Sequence, residues 1–139
     1  MKKLIHRAFV YAMAGLAAGV FYREFTKWNG FADRTALAFL HPHLLTLGAL
    51  LCLVAALFVR QIPLTQQRQF GLFLRLHDIG LPFMVIMLGV RGVLQVQGTA
   101  LTGGMDAAIS GIAGLSHIIL GASLVFFFLA LKKAAAQAE

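Results

Sequence analysis

Four apolar runs account for most of the 139 residues, and their length constrains the fold more than any other feature. A helix needs about 20 predominantly apolar residues to cross the hydrocarbon core of a bilayer. The composition fits this, since 60% of the residues are hydrophobic and 12% are charged, against about a quarter charged in soluble domains. The sequence predicts one domain, an all-α, integral membrane, antiparallel four-helix bundle. Its predicted spans are roughly 4–25, 35–59, 70–97 and 107–131.

The net charge of +7 predicts a topology rather than nucleic-acid binding, because the basic residues fall at the ends of the apolar runs. One side of the predicted bundle carries only Lys27 and Arg34 as basic residues. The positive-inside rule therefore predicts that both termini are cytoplasmic. The basic residues expected on the cytoplasmic side include Lys2, Lys3, Arg7, Arg60, Arg68, Lys132 and Lys133.

Two histidines lie inside apolar runs, His43 in the second and His117 in the fourth. An imidazole within a membrane span is costly, so it usually faces a protein interior and has a partner there. Their distances from the predicted span starts correspond to depths of ~12 Å and ~15 Å, at about 1.5 Å per residue. Both spans are expected to start on the outer side, so the sequence predicts the two imidazoles at similar depth.

This pattern is typical of a b-type haem held by two histidines from facing helices. Two glycines one turn either side of the second histidine, Gly114 and Gly121, would give the macrocycle flat walls. Arg23 and Arg91 lie near the outer ends of their spans and are expected to bind the propionates as bidentate forks. The sequence therefore predicts a haem-binding protein for electron transfer or for redox or gas sensing, and it assigns no catalytic residue.

Other interpretations of the outer polar cluster stay open. A lone histidine in a span often only hydrogen-bonds a neighbouring helix. The cluster could also be an anion or metal-ion site of a small homo-oligomeric transporter or channel, with Gly15 and Gly19 at the dimer contact. In either case Arg91 is expected to meet a carboxylate, which is a haem propionate in the haem hypothesis and Glu24 otherwise.

A copper site would need a third histidine, His41, beside His43 and His117. His41 and His43 are two positions apart and point about 160° away from each other on a regular helix. Both could bind one metal only if Pro42 distorted the turn.

A second polar pair, His77 and Asp78, is expected near the cytoplasmic side with Arg75. It could bind a quinone or pass a proton, because histidine titrates near neutral pH. The alternative is an interfacial salt-bridge cluster. Further along, Asp106 is a plausible N-cap for the last helix.

Four stretches resemble a family of small bacterial four-span membrane proteins catalogued as a domain of unknown function. They are residues 19–27, 41–48, 90–95 and 109–121, so the resemblance extends over nearly the whole chain. It implies a bacterial inner-membrane protein and no particular activity. A looser similarity is to the catalytic subunit of haem-copper oxidases and nitric oxide reductases, and it implies that His43 and His117 ligate a haem.

Overall fold

The computed structural model describes residues 1–138 and is all-α, with four long helices. These are α1 (Lys2–Trp28), α2 (Ala36–Gln61), α3 (Arg68–Val96) and α4 (Gly103–Ala135). Each is long and apolar enough to cross a membrane, which confirms the prediction of an all-α chain with four helices of membrane-spanning length. We call the end that carries both chain termini the terminal end, and the opposite end the distal end.

The helices pack in chain order, α1 on α2, α2 on α3 and α3 on α4. Close approach depends on glycines. A Cβ at Gly15 of α1 would lie 2.9 Å from the Leu45 side chain, and a Cβ at Gly80 of α3 would lie 2.9 Å from the backbone nitrogen of Leu120. Because Gly15 packs against α2, and Gly19 lies beside His41, these two glycines are used within the chain rather than between copies.

Helix α2 is irregular in its first half. It begins as a 3₁₀ turn, continues through one α turn at Leu40–His43, and becomes a π-helix at Leu44–Leu50. The N–H of Leu51 donates to the carbonyl of Thr46, five residues earlier, and to that of Gly48. The carbonyl of Leu47 is thereby left without the donor that a regular α-helix would supply.

Burial is uneven along the bundle. At the terminal end, one apolar cluster includes residues from all four helices, and within it the rings of Phe73 and Phe127 pack at a tilt of 37°, 4.7 Å between centroids. In α4 the buried side chains begin at Ser116 and recur toward the C-terminus. From Gly103 to Leu115 no residue of α4 is buried, so the distal half of this helix is the least covered part of the described fold.

Helix α4 starts earlier than the sequence pattern predicts. Its N-cap is Thr102, whose side chain accepts from the N–H of Met105 at 3.4 Å, so the prediction of Asp106 as the N-cap is wrong. The pair Gly103–Gly104 suggested a loop, but glycine is tolerated in a first turn that a threonine caps. Pro82 does not end α3, which is continuous from Arg68 to Val96.

Candidate functional site

His43 and His117 have the same local geometry. Nδ1 of His43 lies 2.7 Å from the carbonyl oxygen of Phe39, and Nδ1 of His117 lies 2.9 Å from that of Ala113. Each carbonyl belongs to the residue one turn earlier and can only accept, so Nδ1 carries the proton in both rings. Nε2 of each ring is left with a lone pair, which is the arrangement of a metal-ligating histidine fixed by a backbone carbonyl.

Helix α3 allows the depth of His43 to be determined. Near the distal end, a Cβ at Gly92 of α3 would lie 2.5 Å from Leu37 of α2. Further in, Nε2 of His77 on α3 lies 2.8 Å from the carbonyl oxygen of Leu47. His43 lies between these two contacts along α2.

The same helix determines the depth of His117. Arg91 of α3 donates to the hydroxyl of Ser110 on α4 at 2.8 Å, and Gly80 lies against Leu120. His117 lies between these two positions, and it is two turns from Ser110 on the same face of α4. This face lies beside the buried face of α4, which begins at Ser116 and includes Leu120.

Along α3, His43 therefore lies between the levels of Gly92 and His77, and His117 lies between those of Arg91 and Gly80. His43 is half-buried and His117 is exposed. A Cβ at Gly114 or Gly121 would meet no atom within 4 Å, so the space beside His117 is open. The two imidazoles make their hydrogen bonds within their own helices, and none in residues 1–138 joins them directly.

The two arginines expected at the propionates have protein partners. Nη2 of Arg91 lies 2.7 Å from Oδ1 of Asp106, in addition to its bond to Ser110. The prediction that Glu24 is the protein partner of Arg91 is wrong. Glu24 pairs instead with its neighbour Arg23 at 3.0 Å, and the Arg23 side chain is 78% exposed. The early start of α4 is the reason, because it brings Asp106 level with Arg91.

His41 is separate from the two histidines above. It packs against Gly19 of α1, and its Nδ1 is buried without a partner in the described chain. The π-helix begins only after His43, so the turn at Pro42 is not distorted in the way that a three-histidine copper site requires. Within residues 1–138, no group of three or more histidine, cysteine, aspartate or glutamate side chains is placed to hold a metal ion.

His77 lies at the centre of the bundle with a relative exposure of 0%. Its Nε2 donates to the Leu47 carbonyl that the π-helix leaves without a donor. The ring of Tyr11 packs against it edge-on, 5.6 Å between centroids, and Nδ1 has no partner among the described residues. Sequence reasoning identified His77 but not its partner, because a π-helix within an apolar run leaves no pattern of residue types.

Asp78 is adjacent in sequence but faces α1. Its carboxylate binds Arg7 through both oxygens, at 3.1 Å and 2.7 Å, rather than lying with Arg75 as expected. The two residues of the predicted His77–Asp78 site therefore lie in different surroundings. The imidazole of His77 is fully enclosed, and Asp78 forms a partly exposed ion pair with Arg7. His77 itself borders no open space, because its side chain is fully enclosed.

The fold defines a small all-α protein with four helices that are long and apolar enough to cross a membrane. The family model for a protein of unknown function, DUF2871, matches residues 1–134, and the chain belongs to this family. No curated protein and no solved structure matches the chain. The looser similarity to haem-copper oxidase subunits therefore stays a prediction.

Proposed function

We propose that this protein spans the bacterial inner membrane four times, with both termini in the cytoplasm, and holds a b-type haem between His43 and His117. One observation carries the proposal. Two imidazoles in overlapping depth ranges each have Nδ1 bound to a backbone carbonyl and Nε2 without a partner in residues 1–138. That arrangement fits a pair of axial ligands on one iron.

The exposure of His117 supports the same conclusion. A histidine that faces lipid carries an unsatisfied ring nitrogen in a medium without hydrogen-bonding partners, and this is costly. A cofactor beside α4 would cover this nitrogen. The open space at Gly114 and Gly121 leaves room for a flat apolar ring system against the helix backbone.

The residues of the chain would have distinct tasks at such a site. His43 and His117 would hold the iron, and the carbonyls of Phe39 and Ala113 would fix the orientation of their rings. Arg91 binds Asp106 and Ser110, so it positions the helix that carries His117 instead of binding a propionate. The haem would supply one-electron redox chemistry, used in electron transfer or in redox or gas sensing.

An absorption spectrum of the protein purified after expression with ample haem tests the proposal. We expect a Soret band that shifts on reduction, and a b-type pyridine haemochrome. His43→Ala and His117→Ala should each remove the low-spin spectrum, whereas His6→Ala should not, because His6 is exposed near the terminal end. A helical, monodisperse wild-type protein without a Soret band would overturn the proposal.

A second candidate rests on the uncovered distal half of α4. Glycines at 111, 114 and 121 have open space where a Cβ would stand, and small residues allow close helix contact within a membrane. A second copy could pack there to form a homo-oligomeric transporter or channel with His117 at an ion site. Colourless protein that carries out ion flux in proteoliposomes would favour this candidate over the haem.

A further inference from the structure

We propose that the first two turns of α3 form a binding site for the phosphate of an anionic phospholipid headgroup. A cavity of about 530 Å³ lies at the terminal end, where the α2–α3 connection meets α3. Its lining includes Thr65, Arg68, Gly71 and Arg75. The site is distinct from the histidines described above and does not depend on haem binding, but it rests on the proposed cytoplasmic position of the terminal end.

Two guanidinium groups border this cavity, and neither is paired with a carboxylate among residues 1–138. Arg68 and Arg75 are seven residues apart, which places them on one helix face about 10 Å apart along the axis. The three ion pairs of residues 1–138 use other arginines and other parts of the bundle. Two arginines that have no carboxylate partner in the described part of the chain favour a phosphate, which can accept from both.

The backbone between the two arginines is accessible. Gly71 lies between them on the same face, and a Cβ there would meet no atom within 4 Å. No side chain caps the amides at the start of α3, and its first turn holds no acidic residue. The Gln67 side chain, at the N-cap position, instead donates to Gln137 at 2.6 Å. The positive end of the helix dipole therefore adds to the attraction that the arginines exert on an anion.

The surroundings indicate that a lipid carries this phosphate. The lining also includes Leu72 and Leu74, which are partly buried, apolar and suited to the first carbons of acyl chains. In the proposed orientation, this end lies at the cytoplasmic headgroup layer, where basic pockets bind anionic lipids. A free phosphate would use the arginines equally but would gain nothing from the apolar side chains.

Lipid binding to the full-length protein in detergent tests the proposal, with phosphatidylglycerol, phosphatidylcholine and inorganic phosphate as separate probes. We expect phosphatidylglycerol alone to be retained in native mass spectra and to raise the melting temperature. Arg68→Gln and Arg75→Gln should each weaken its affinity about tenfold, as the loss of a charge-assisted hydrogen bond implies. Gly71→Leu should weaken it without a change in charge, because the new side chain fills the cavity.

Arg60→Gln is the matched control, because Arg60 is exposed near the same end and lines a different groove. We expect it to leave the affinity unchanged. An equal loss in Arg60→Gln and Arg68→Gln would overturn the site in favour of diffuse attraction by a basic surface. If inorganic phosphate stabilised the protein as much as phosphatidylglycerol does, the proposal that the bound phosphate belongs to a lipid would be overturned. Circular dichroism of each variant separates these results from misfolding.

Discussion

His77 and His117 are both histidines within long apolar helices, and the structure treats them in opposite ways. His77 is fully enclosed, and its Nε2 is bound to a carbonyl on another helix. His117 is exposed, and its only hydrogen bond in the described chain runs to its own helix through Nδ1. The two rings therefore differ in which nitrogen lacks a partner among the described residues, Nδ1 in His77 and Nε2 in His117.

The bond at His77 stabilises the fold, because it satisfies a carbonyl that the π-helix exposes within the bundle. The bond at His117 satisfies nothing outside its own turn. It fixes the ring and leaves Nε2 available to a group that the chain does not provide. We therefore expect substitutions at the two positions to affect different measurements.

The largest expected effect is on cofactor binding at His117. His117→Ala should abolish the low-spin haem spectrum, while the denaturant midpoint of the apoprotein should change little because the side chain contacts so few groups. His117→Met offers a softer ligand and should restore absorption with an altered midpoint potential. Full haem occupancy in His117→Ala would remove the proposed difference between the two histidines.

The second effect is on stability at His77. His77→Leu should lower the free energy of unfolding by about 1–3 kcal/mol, because the part-buried Leu47 carbonyl loses the donor that His77 supplies. His77→Gln keeps an N–H donor and should recover part of the loss. Chemical unfolding in detergent measures both variants. A stable His77→Leu protein would mean that the cross-helix bond contributes little.

Two glycines test the covered and the open face of α4. Gly80 of α3 packs against α4, and Gly114 lies on the open face of α4 itself. Gly80→Ala should destabilise the bundle by about 1–3 kcal/mol, because its Cβ would press on the backbone of Leu120. Gly114→Ala, in the open space beside His117, should leave the unfolding midpoint of the apoprotein near wild type. Equal destabilisation by both would indicate that another chain covers the distal half of α4.

The smallest expected effect concerns Arg91. Its ion pair with Asp106 is partly exposed, with 33% and 51% of the two side chains accessible, so Arg91→Leu should cost at most about 1 kcal/mol. Asp106→Asn in the same chain should reverse that loss, whereas Glu24→Gln should not. Rescue by Glu24→Gln instead of Asp106→Asn would mean that Arg91 pairs with Glu24 and not with Asp106.

The sequence was sufficient for the four helices, and the candidate site stays a prediction. Apolar length alone located four helices, and the counts from their predicted ends gave similar depths for His43 and His117. The sequence did not predict contacts that change when a helix starts one turn earlier or later. The partner of Arg91 depends on the threonine cap that starts α4 early, and the Gly-Gly pair concealed that start.

The partner of His77 was not accessible for a different reason. Leu47 is an ordinary member of an apolar run, and nothing in its type shows that its carbonyl lacks a donor. The relation between His41 and His43 was predicted, since two positions on a helix diverge. The side each would face was not, because it depends on the close approach of Gly19 to α2.

The π-helix at Leu44–Leu50 also sets the angular phase between the two halves of α2. A helix residue turns the chain by about 100°, so one extra residue within this segment rotates everything before it relative to everything after it. The extra residue therefore sets which neighbours each half of α2 faces. One half carries His43, and the other carries the buried residues Cys52, Ala55 and Ala56. Deletion of a single leucine here would leave the hydropathy of the span unchanged and turn His43 toward a different helix.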